Sequence, residues 1–143
     1  MKRFVATSLI CATAALGLTA CSDSNDETPK EEATKAAAAL CNDLATLKAD
    51  SAKLRAMDPA NSTKDQIKSA FDAVQTDWDN VKKNAQSLEQ AKRDGVKNAA
   101  EGLKKSYEDL PGDTTGQQVM TSIQPELAKL DASVAAASTS LKC

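Results

Sequence analysis

Apolar residues return every three or four positions through most of this chain, the spacing that puts them on one face of a helix. The pattern predicts three helices. The first covers about 29–57. Ala33, Ala37, Leu40, Leu44, Leu47 and Leu54 form its stripe, with a polar gap at Ser51. Thr28 reads as its N-cap, Pro29 fits the first helical position and Glu31 completes a capping box. Asp58-Pro59 ends it, because a residue before proline avoids helical backbone angles.

The second predicted helix covers about 64–110 and opens at Thr63, with Gln66 as its box partner. Ile67, Phe71, Val74, Trp78, Val81, Ala85 and Leu88 alternate steps of four and three, as in a coiled coil. The stripe falters at Lys92 and resumes out of phase as Val96, Ala99, Leu103, Tyr107 and Leu110. Local over- or unwinding of one continuous helix absorbs such a slip. Gly95 and Gly102 share a face and mark a close helix approach or a hinge, and Pro111-Gly112 stops the helix. The third helix, about 115–142, opens at Thr114 or Thr115, each with a Gln three residues on. Its stripe is Val119, Ile123, Leu127, Leu130, Val134, Ala137 and Leu141, and Pro125 inside it is expected to cause a kink.

The first 20 residues follow another plan. Lys2-Arg3 precedes an apolar run from Phe4 to Leu18, too short for a stable membrane-spanning helix, and the run ends in Leu18-Thr19-Ala20-Cys21. This segment resembles the lipobox of bacterial lipoproteins. The resemblance implies cleavage before Cys21, a diacylglyceryl group on the Cys21 sulfur, and a palmitate-type anchor in the cell envelope. Ser22, in place of Asp, implies the outer membrane where the cell has two membranes, and the outer leaflet where it has one. The chain then divides into a signal peptide at 1–20, a lipidated, polar and disordered tether at 21–28, and a helical domain at 29–143. The body looks like small secreted helical proteins of actinobacteria whose role is unassigned. Murein lipoproteins are also lipidated helices, but this chain ends in Lys142-Cys143 and lacks their terminal lysine.

Cysteine parity adds a covalent constraint. Cys11 leaves with the signal and Cys21 carries the lipid, so Cys41 and Cys143 remain and should pair in an oxidising compartment. Helix geometry at about 1.5 Å per residue turns that pair into a statement about topology. Measured down from the turn at 58–62, Cys41 lies about 24 Å deep. A continuous second helix descends about 70 Å and the third climbs back about 42 Å, which leaves Cys143 about 28 Å deep. Cutting the second helix near Gly95 to make four helices instead leaves Cys143 about 60 Å deep, out of reach of Cys41. The expectation is therefore an all-α, elongated, up-down-up three-helix bundle closed by one disulfide. Stretches where the long central helix has a single neighbour should leave apolar surface exposed.

Composition narrows the chemistry. The chain has no histidine, which removes the commonest general base and metal ligand. Its net charge is -2, and cleavage removes Lys2 and Arg3, leaving it more acidic, opposite to the basic face of a nucleic-acid binder. The acid pairs Glu31-Glu32, Asp77/Asp79 and Glu108-Asp109 read as solvated helix faces, since neighbours on a helix do not converge. Trp78, mid-stripe, reads as core. No catalytic set, metal site or cofactor is expected. The expected function is that of a non-enzymatic, membrane-anchored envelope lipoprotein acting through helix-face contacts with another envelope protein, with self-association also open. The alternative is an immunity or phage-exclusion lipoprotein that binds and blocks an incoming protein.

Overall fold

The computed structural model describes residues 29–143. The expected signal peptide at 1–20, the expected lipid site Cys21, the expected tether and the expected Thr28 cap lie outside the described residues. Within them the chain is all-helical, with four long helices and no strand. These are α1 (Pro29–Arg55), α2 (Lys64–Asn84), α3 (Gln90–Glu108) and α4 (Gly116–Leu141). A short 3-10 turn, Ala85–Ser87, lies between α2 and α3.

The single helix expected over 64–110 is therefore two. The 3-10 turn tightens the end of α2, and Leu88 then takes an extended backbone (φ -85, ψ 143), which no helix continues through. The chain reverses there. Phe71 near the start of α2 stacks on Tyr107 near the end of α3, with ring centroids 4.1 Å apart, so the two helices are antiparallel. Gly95 and Gly102 of α3 lie opposite Ser133 and Glu126 of α4, and Asp43 of α1 bonds Asn84 of α2, so these pairs are antiparallel as well. The result is an up-down-up-down four-helix bundle. It replaces the elongated three-helix arrangement and its bare two-helix sections.

The depth argument failed on where the reversal falls. With the break at 85–89, α2 descends about 30 Å and α3 returns almost the same distance. Helix α4 thus starts at the top, where the Gly116 backbone lies against the Ser62 and Pro59 carbonyls, and runs down beside α1. A cut at Gly95 makes the two halves unequal and displaces α4 downward.

Capping chemistry fixes the two clearest starts. Thr63 Oγ1 accepts from the Gln66 amide, and Gln66 Oε1 accepts from the Thr63 amide, at 3.2 and 2.9 Å. Thr115 and Gln118 repeat the arrangement, so α4 opens at Thr115 while Thr114 donates its hydroxyl to the Pro111 carbonyl. Helix α4 runs on through Pro125. The turn after α1 is built on Asp58, whose side chain accepts from the Ala60 amide and the Asn61 side chain. These bonds hold its carboxyl below the usual carboxylate range.

The core follows the predicted stripes. Leu40, Leu44, Leu47 and Leu54 of α1 are buried with Ile67, Phe71, Val74, Trp78 and Val81 of α2. Val96, Ala99 and Leu103 of α3 join Val119, Ile123, Leu127, Leu130, Val134 and Ala137 of α4. Burial in α1 starts only at Leu40. Lys30 to Lys35 and Ala38-Ala39 are exposed, so the first turns of α1 project past the bundle.

Candidate functional site

Of the site residues expected from sequence, Cys41 and Cys143 meet in a disulfide, with Cα atoms 5.6 Å apart. Cys41 sits where α1 enters the core. Cys143 reaches it from a left-handed cap at Lys142 (φ 60), with the Cys143 amide bonded to the Ser138 carbonyl. The bond therefore ties the end of α4 to α1 at the base of the bundle, the end from which α1 projects. Cys21, the expected lipid site, lies outside the described residues.

Two polar features cross the α1 seams. The gap in the α1 stripe, Ser51, is fully buried, and its hydroxyl donates to Asp131 Oδ1 of α4 at 2.7 Å. Arg55 pairs with the other oxygen of Asp131. On the opposite side, Asp77 of α2 is buried and its Oδ2 has no hydrogen-bond partner. Burial, followed by the neighbouring Asp50 carboxylate, pushes the Asp77 carboxyl up from its ordinary range; nearby Lys53 opposes this. The solvated reading of Asp77/Asp79 thus holds for exposed Asp79, which pairs with Lys82 at 2.6 Å, and fails for Asp77. A period-2 offset on a helix turns one residue inward and the other out.

The α2/α3 seam is the loosest between neighbouring helices of the bundle. Phe71, Trp78 and Tyr107 bridge it where smaller residues close the others. A groove of about 370 Å³ opens along it. Phe71, Gln75 and Trp78 line it from α2, and Ala100 and Lys104 from α3. Asp72, Asp79, Glu101 and Glu108 also lie along it. Trp78 is 5% exposed, and the Lys82 ammonium sits 5.7 Å from the centre of its ring. The buried Nε2 of Gln75 has no hydrogen-bond partner. The Trp78 core assignment agrees with this placement. Gln75 and Lys82 were not singled out by sequence, although a lysine four residues after a tryptophan on a helix is a readable signal.

No group of three or more His, Cys, Asp or Glu among the described residues is arranged to hold a metal ion. No described helix is long and apolar enough to cross a membrane. The bundle thus carries a charged, aromatic-backed groove along its α2/α3 side and a disulfide-pinned base at one end.

No curated protein and no solved structure matches the chain. A family model does match, over residues 6–103, well over half of the chain. The match takes in α1, α2 and most of α3, and leaves α4 outside. A helical, transducer-type family agrees with the all-helical bundle, and its description is of signalling and not of catalysis. On that match the chain belongs to the family described as PilJ, type IV pili methyl-accepting chemotaxis transducer N-term.

Proposed function

We propose that this protein is a non-enzymatic cell-envelope lipoprotein, held at the membrane by a lipid on Cys21, whose four-helix bundle works by contacting another envelope protein. The observation that carries the reading is the base of the bundle. The Cys41–Cys143 bond and the projecting start of α1 lie at the same end, and Pro29, the first described residue, stands there. An anchor at Cys21 would then hold the base near the membrane and present the helix faces and the far turns outward. The Leu18-Thr19-Ala20-Cys21 segment supplies the chemistry for that anchor. Family membership supports a receiving role, since the family is described by the N-terminal part of a chemotaxis transducer.

The test is photo-crosslinking in intact cells. Crosslinkers are placed at exposed Lys83, Lys97 and Lys104, and adducts are identified by mass spectrometry. A discrete envelope-protein adduct from one face of the bundle is expected. Uniform, position-independent labelling of abundant proteins would contradict the reading.

A further inference from the structure

Four features of the α2/α3 groove converge on one class of ligand. Its wall carries the face of Trp78, and a cation already occupies the space before that ring, the Lys82 ammonium at 5.7 Å. An aromatic face attracts an ammonium through its quadrupole, most strongly for tryptophan. The edges carry four carboxylates, Asp72, Asp79, Glu101 and Glu108, paired with Lys68, Lys82, Lys97 and Lys104. All four carboxylates have a lysine within 4 Å, but these pairs are exposed, where an ion pair contributes little and exchanges readily. The buried Gln75 Nε2 adds a donor with no partner in the protein. The volume, about 370 Å³, lies at the small end of the range for ligand sites and is ample for a small organic ion.

We infer that the α2/α3 groove is a binding site for a small organic ammonium ion bearing an oxygen acceptor, which takes the place of the Lys82 ammonium on Trp78. The cation lies against the Trp78 ring within the field of the carboxylates, and the acceptor takes the Gln75 Nε2 hydrogen bond. Lys82 acts as an internal competitor: its side chain is half exposed and swings away when the ligand enters. This site is independent of the Cys21 anchor and of any protein contact, so its failure leaves the proposed function standing.

Trp78 is the chain's one tryptophan and reports on the site directly. The full chain is titrated with choline chloride, following Trp78 fluorescence and heat of binding, with sodium chloride at matched ionic strength as the control. A saturable response to choline and none to sodium is expected. Lys82→Ala removes the competitor and should tighten choline binding about threefold, the scale of one exposed cation–π contact. Glu101→Gln should weaken it. A response shared by sodium, no saturation with choline, or Lys82→Ala binding more weakly than the wild-type chain would each overturn the assignment.

Discussion

At the scale of single residues, burial decides which side chains matter. Trp78 is almost wholly enclosed among the α2 and core side chains, so truncation leaves a large void. Trp78→Ala should cost about 3–5 kcal/mol, a large part of the roughly 5–15 kcal/mol that holds a domain folded. Thermal melts should show a clear fall for it and almost none for exposed Lys83→Ala. Asp77 makes the opposite prediction. Its carboxyl is pushed up by burial and by Asp50, so the folded state holds that proton more tightly than the unfolded chain. The stabilisation this provides is complete below the ordinary carboxylate range and is lost as the pH rises through the raised value. At neutral pH the buried carboxylate is therefore a liability. Asp77→Asn should melt higher than the wild-type chain at neutral pH, and the gap should narrow on acidification. A gap that is constant with pH would show that Asp77 does not titrate in this way.

Among the elements, the stripes were legible and the reversal was not. Every position of the stripe from Ile67 to Leu88 is buried, as the four-three spacing requires, while Ala70 and Ala73 beside it are half-buried. The same unbroken spacing concealed the end of α2, since Ala85 and Leu88 stay in phase while the backbone between them tightens and turns extended. The out-of-phase restart at Val96 was the true mark of the break. It reads as a slip in one helix because the depth argument rejects a cut at Gly95, and no glycine or proline points to residues 85–89 instead. Ser51 shows the converse: a polar gap in a stripe is a core position when a partner such as Asp131 waits across the seam. Two glycines separate close approach from mere spacing. A Cβ on Gly95 would meet only Ser133 Oγ at 3.9 Å, so Gly95→Ala should gain about 0.5–1 kcal/mol from helix propensity. A Cβ on Gly116 would lie 2.8 Å from the Ser62 carbonyl oxygen, so Gly116→Ala should destabilise the fold. Paired denaturant midpoints check both signs.

For the molecule as a whole, the disulfide closes the path that the four helices trace. It joins residues 102 apart in sequence, at the level where α1 and α4 both reach the base. Losing a constraint on a loop of that length should cost about 2–5 kcal/mol, so Cys41→Ser should lower the melting temperature well below that of the oxidised chain. Cysteine parity, with the oxidising compartment that the N-terminal segment leads one to expect, was enough to find this pair; the helix-depth argument then drew the wrong topology from the right bond. The proposed Cys21 anchor, read from the Leu18-Thr19-Ala20-Cys21 segment, is the central claim, because it would set which end of the bundle faces the membrane. Metabolic labelling with an alkyne fatty acid, followed by membrane fractionation, tests it directly. The wild-type chain should take up the label and sediment with membranes, whereas Cys21→Ser should be unlabelled and released. A Cys21→Ser chain that still carries label and remains in the membrane would contradict the account.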